Sequence, residues 1–250
     1  MKLFYSEYKP KGILEKFFID YARFEVREKI KANFALLTDY TSSLLIILDL
    51  SSGAVKSKIA GYRNERIKIN LKENSVLFIY KFRPEIFYLL NNCSIEQFKN
   101  KIVNYPEIKF PAKIADEKKI NDVLAKHFKE ITYDNSQIKS YVLQAIEKIS
   151  RQKGIYKTEE LISDSGISVR QFQREFKKVT GFSPKEYASI LRINSLTSEL
   201  IKDDVSLKDI FFNFGFYDQA HFNNEFKKII GANPTLFESR QKLIKYLNLL

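Results

Sequence analysis

The stretch "FKKVTGFSPKEY", Phe176 to Tyr187, returns fifty residues later as "FKKIIGANPTLF", Phe226 to Phe237. Phe, Lys, Lys, Gly and Pro keep identical offsets. Upstream, Phe172 matches Phe222 at the same shift, while Gly166 matches Gly215 at a shift of 49, so one residue is inserted between the glycine and the aromatic. Each copy reads as a helix, a glycine turn and a second amphipathic helix. Phe172, Phe176 and Val179 share one face in the first copy, and Phe222, Phe226 and Ile229 share it in the second. That periodicity is the mark of a helix with one buried side. The punctuation agrees. Ser168 with Gln171, and Ser183-Pro184 with Glu186, read as capping boxes. Asp218 reads as an N-cap and Asn233-Pro234 as a cap followed by Pro. Gly166 and Gly215 fall where a helix must stop.

Two helices joined by a short glycine turn make a helix-turn-helix. In that motif the second helix fits the major groove of DNA and the first props it there. The exposed residues at the start of the second helix would then face base edges. In the first copy these are Val169, Arg170, Gln173 and Arg174. In the second they are Gln219, Ala220, His221, Asn223 and Asn224. Arg pairs bidentately with guanine, and Asn or Gln with adenine. His221 is read either as a core or capping residue or as a contact. Lys177, Lys178, Lys227 and Lys228 are read either as solvated charges or as phosphate clamps. Between the copies a helix from Pro184 to Lys202 spans ~28 Å at ~1.5 Å per residue. Successive major-groove entries on one face of B-DNA lie about 34 Å apart. One chain thereby carries two reading units at the spacing of a two-fold repressor.

Residues 1–112 read differently. "LLIILDL" (Leu44 to Leu50), "RIKINL" (Arg66 to Leu71) and "SVLFIYKF" (Ser75 to Phe82) are short β-rich runs, with turns expected at Ser51–Gly53 and Lys72–Asn74. "SIEQFKNKIV", Ser94 to Val103, reads as helical. Two further helices are expected across residues 113–153, one burying Ile120, Val123, Leu124, Phe128 and Ile131, the other Ile138, Val142, Ala145, Ile146 and Ile149. The expected fold class is α+β: a β-rich sensor or dimerisation domain over 1–112, a helical connector over 113–153, and a double helix-turn-helix over 154–250.

The formal net charge of +12 favours an anionic partner. The excess is not focused on the repeat, where residues 151–250 hold 16 Lys and Arg against 12 Asp and Glu. The single cysteine, Cys93, excludes an intrachain disulfide and is read as a small buried apolar residue. With no secretory signal and no apolar run near the ~20 residues of a membrane span, a cytoplasmic protein away from membranes is expected. Enzymatic readings fail on missing parts. Residues 1–110 contain no histidine for a cupin-type metal centre, and there is no Walker loop, GxSxG or CxxC. No catalytic residue, metal or cofactor is expected.

The sequence "FGFYDQAHFNNEFKKIIGANPTLF", with the copy before it, resembles the DNA-binding domain of AraC/XylS-type transcriptional regulators over about 155–240. The resemblance implies base and backbone contacts from Arg170, Gln173 and Arg174 in the first copy and from Gln219, His221, Asn223 and Asn224 in the second. The family usually has Arg where Asn224 stands, so a cationic contact is missing. It usually has Ala where Ile162 and Phe211 stand, which alters helix packing. "FRPEIFYLLNNCSIEQFKNKIVNYPEI", Phe82 to Ile108, is similar to part of the cupin-like sensing domain of some of these regulators. The resemblance implies a sequence-specific DNA-binding regulator, with activation of transcription as the expected effect. Its partner is double-stranded promoter DNA. RNA polymerase, an unidentified small-molecule ligand and a second copy are further partners to test. The rival reading is a non-enzymatic helical interaction protein or co-regulator that has lost strong DNA binding.

Overall fold

The computed structural model describes residues 3–27, 34–36, 38–65, 67–91, 95–114, 116–163, 165–202 and 211–234. Cys93, the first helix of the second repeat up to residue 210, and the residues after Pro234 lie outside them. The chain divides into two compact units. One holds Met1–Phe34, Thr41–Arg63 and Ile67–Asn135; the other holds Ala35–Tyr40, Asn64–Arg66 and Ser136–Leu250.

The first unit is built on an antiparallel sheet. Its strands are β1 (Leu3–Tyr8), β2 (Phe18–Val26), β4 (Ser43–Asp49), β5 (Val55–Ala60), β7 (Ser75–Phe82) and β8 (Ile102–Asn104), in the order β1-β2-β7-β4-β5-β8. Two short strands, β3 (Phe34–Leu36) and β6 (Ile67–Ile69), are not part of this sheet. β4 and β7 are central and buried along nearly their whole length, which explains their unbroken apolar sequences. The register sets Tyr21 opposite both Tyr8 and Tyr80. The rings therefore stack across three strands, with centroids 5.1 and 4.7 Å apart.

After β7 comes helix α1 (Pro84–Asn91), opened by a proline whose missing N–H costs nothing at a helix start. Helix α2 (Glu117–Lys129) then lies on the same unit. It buries Ile120, Leu124 and Phe128, and Phe128 packs against Phe17 and Phe18 at 4.7 and 5.0 Å. At its other end the Tyr21 hydroxyl donates to Glu117 Oε1 at 2.9 Å, and the Tyr80 hydroxyl donates to Asn121 Oδ1 at 2.8 Å. Ile131, expected on this face, falls beyond the helix end.

The helical reading of Ser94 to Val103 is corrected. Ile95–Phe98 forms one 3-10 turn, and Ile102–Asn104 is edge strand β8. The backbone finds tertiary partners instead of helical ones. Gly61 N–H donates to the Lys101 carbonyl at 3.0 Å, and Asn100 N–H donates to the Tyr62 carbonyl at 3.1 Å. Ile95, Phe98 and Ile102 recur at helical spacing, but sheet hydrogen bonds outweigh that local preference.

The second unit is helical where it follows Ser136: α3 (Ser140–Arg151), α4 (Thr158–Ile162), α5 (Val169–Thr180), α6 (Pro184–Lys202) and α7 (Gln219–Ile230). The 3-10 turn Phe211–Phe214 precedes α7. Helix α3 buries Val142, Ala145, Ile146 and Ile149. The central α6 is buried around its circumference, through Tyr187, Ala188, Ile190, Leu191, Ile193, Leu196 and Leu200. It packs on α3 and α5, and also on the 3-10 turn and α7. The segment Ala35–Tyr40 counts with this unit, and the Tyr40 ring meets Tyr187 edge-on at 4.9 Å.

Candidate nucleic-acid interface

The two reading helices are built to one plan. Helices α5 and α7 each have twelve residues. The Ser168 hydroxyl accepts from Gln171 N–H at 3.2 Å, and the Asp218 carboxylate accepts from His221 N–H at 2.7 Å. Each bond satisfies one of the orphan donors of a helix start. Both helices end at a glycine in the left-handed region, Gly181 at φ 82° and Gly231 at φ 80°. A side chain at either position would clash with its own carbonyl, which is why the motif repeats glycine. Inside, Phe172 and Phe176 meet at 5.6 Å and 60°, and Phe222 and Phe226 at 5.5 Å and 58°. The matched sequence therefore produces matched packing. Phe211 is accommodated by stacking on Phe222 at 5.3 Å and 13°, so its bulk fills the second copy's core.

The outer faces differ in chemistry. Val169, Arg170, Gln173, Arg174 and Lys177 are all exposed on α5. Arg174 makes a 3.3 Å contact with neighbouring Glu175, and its side chain is 74% exposed. On α7, Gln219, Ala220, His221, Asn224 and Lys227 are exposed. Asn223 is half-buried, with its Oδ1 turned inward and unpaired. Lys177, Lys178, Lys227 and Lys228 sit in last turns, where cations also complement the carbonyl ends of the helices. The exposed face of α5 thus carries two arginines, whereas that of α7 carries amides, His221 and Lys227.

Helix α6 holds these faces in place. Its start carries the full capping box: Ser183 N–H and hydroxyl both donate to Glu186 Oε2, at 2.9 and 2.7 Å, and Glu186 N–H donates to Ser183 Oγ at 3.3 Å. Further along, the Ser189 hydroxyl donates to Glu225 of α7. Arg192 donates to the Gly154 carbonyl at 2.9 Å and lies 5.3 Å from the Phe216 ring centroid. Burial lowers its pKa from the ordinary guanidinium value, and the Glu225 carboxylate opposes that shift. A Cβ on Gly154 would stand 2.3 Å from the Ala188 carbonyl oxygen, so only glycine lets this turn approach α6.

Sequence reading missed Arg192, Ser189, Glu225 and Gly154, because their partners lie 36 or 38 residues away and no local pattern marks them. It also missed Tyr217, which stands 90% exposed just before the Asp218 cap. A large aromatic next to an N-cap was the available signal.

Among the described residues no helix is long and apolar enough to cross a membrane. A family model described as a helix-turn-helix domain matches residues 161–240. The transcriptional activator RhaS of Klebsiella pneumoniae is 32% identical over 76 residues, 30% of this chain. The chain spans about a quarter of that relative, 27%. The probable transcription factor PqrA of Proteus vulgaris is 33% identical over 90 residues, covering 36% of this chain and 73% of PqrA. The crystal structure of ToxT from Vibrio cholerae O395 aligns over 96% of this chain and 98% of its own, at 13% identity and a TM-score of 0.46. With two capped reading helices on one buried linker, and with relatives that are transcription factors rather than enzymes, the chain belongs to the AraC/XylS-type transcriptional regulators.

Proposed function

We propose that the chain is a one-component transcriptional regulator that inserts α5 and α7 into successive major-groove segments of double-stranded promoter DNA. One observation carries the reading. Two helices of equal length and equal capping expose their polar faces while α6 fixes both through buried contacts. Val169, Arg170, Gln173, Arg174 and Lys177 would contact the first segment. Gln219, His221, Asn223, Asn224 and Lys227 would contact the second. Asn223 would have to turn outward from its half-buried position. On this reading the β-rich unit supplies ligand response or pairing between copies, and the bound chain acts through RNA polymerase.

The test is selection of duplexes from a random pool by the full chain, followed by titration of a selected operator at several salt concentrations. A preferred sequence, with affinity falling as salt rises, is the expected result. Folded protein that retains no duplex at low salt would leave the helical interaction protein as the better reading.

A further inference from the structure

The second reading helix has no arginine on its exposed face, yet the residue before its cap is the most exposed aromatic described in the chain. Tyr217 is 90% exposed, next to the Asp218 cap and therefore at the end of α7 that would enter the groove. A single exposed ring needs no explanation by itself, but this one stands at the helix start that the proposed binding directs to the groove.

The ring has an aromatic neighbour on α7. It stacks on His221 at 6.3 Å and 28°. His221 in turn meets Phe216 at 5.4 Å, and Phe216 meets the buried Phe222 at 5.2 Å. Four rings thus run from the core to the surface, with Tyr217 outermost. His221 covers little of the ring, which is 90% exposed, so its faces are open to a partner. An open aromatic face at a groove-facing helix start suits one feature of DNA in particular. Thymine alone places a methyl group in the major groove, and apolar side chains recognise it.

We infer that Tyr217, beside His221, reads a thymine methyl in the segment taken by α7. This rests on the proposed DNA binding. It gives the second unit a source of specificity that needs no charge, in contrast to the arginines of α5.

The test uses the full chain and an operator selected by wild type from random duplexes. Each thymine is replaced in turn by deoxyuridine, which removes only the methyl. At one position in the α7 segment, wild type should lose about four-fold in affinity, the value of one buried methyl-sized group. Tyr217→Ala should bind thymine and deoxyuridine equally there, at the weaker level. Tyr217→Phe should discriminate like wild type. Neither variant should change the salt slope, since no charge is altered. Discrimination that survives in Tyr217→Ala, or its absence from wild type at every position, overturns the inference alone. A uniform loss in Tyr217→Phe also overturns it and assigns the hydroxyl to phosphate instead. Wild type that selects no sequence overturns the proposed function, and this inference with it.

Discussion

The Arg192 guanidinium lies 5.3 Å from the ring centroid of Phe216, while its Nη2 donates to the Gly154 carbonyl at 2.9 Å. Gly154 precedes the first helix-turn-helix, and Phe216 opens the turn into the second reading helix. One side chain on the linker therefore holds a part of each reading unit. Its planar fork can bond a carbonyl and face a ring at once.

Arg192→Ala should lower the stability of the second unit by about 2 kcal/mol, the sum of a charge-assisted bond and a partly desolvated cation–π contact. Arg192→Lys should recover little of this, because a point charge cannot serve both partners. Urea unfolding followed by far-ultraviolet circular dichroism checks both variants. Full recovery by Lys would show that charge alone matters at this position.

Arg174→Ala should weaken operator binding more than Asn224→Ala, although both stand two residues after the matched Phe172 and Phe222. If Arg174 meets a guanine edge, the loss should be ~1–3 kcal/mol with relaxed preference at one base. If it meets phosphate, all sequences should weaken alike and the salt slope should drop by about one. Asn224→Ala should leave that slope unchanged. Titration of both variants at several salt concentrations decides the order; equal losses would place the dominant reading helix elsewhere.

A fragment of residues 136–250 should fold and bind DNA by itself. Helix α3 buries Val142, Ala145, Ile146 and Ile149 in the second unit, so a fragment starting at residue 152 should be markedly less stable. Removing four buried apolar residues costs several kcal/mol, at roughly 1.5–3 kcal/mol for each larger side chain. Thermal melts and gel shifts of the two fragments test this. Equal melting of both would show that α3 adds nothing to that unit.

The first unit should lose stability between pH 10 and pH 12. Burial, with the Glu117 hydrogen bond and charge adding to it, pushes the Tyr21 hydroxyl up to about 12 from 10.0. The unfolded chain ionises this group first. Its contribution is therefore complete below pH 10 and is lost as pH rises through the folded value. Tyr21→Phe removes the titrating group, so this variant should lose less stability over the same interval. Urea midpoints at pH 9 and pH 11.5 provide the measurement; parallel losses in the two proteins would exclude Tyr21 as a source.

The helical half was largely legible because its signals are local. Caps at Ser168, Ser183 and Asp218, turn glycines, and phenylalanines four residues apart each act within one or two helical turns. The central strands β4 and β7 were legible because burial on both faces leaves unbroken apolar runs. Strand β2 was not, since "FIDYARFEV" mixes Asp20, Arg23 and Glu25 with its apolar residues and takes its place only through pairing with β1 and β7. The turn at Ile95–Phe98 was misread as the start of a helix because the chain just after it bonds elsewhere, through Asn100 and Lys101 to Tyr62 and Gly61, more than thirty residues away. The exposed faces of α5 and α7 were legible by position. The contacts that aim them, centred on Arg192, depend on three-dimensional approach.

The burial of α6 around its circumference has a consequence for inheritance. A residue inserted into this helix would turn everything beyond it by about 100° while advancing it only ~1.5 Å. It would also expose one apolar flank and force polar groups into the other. Single-residue insertions and deletions should therefore be purged from this segment. If α5 and α7 enter successive groove segments as proposed, the distance between the two halves of a target site becomes a fixed trait, and targets diverge by exchanging bases rather than by changing their spacing.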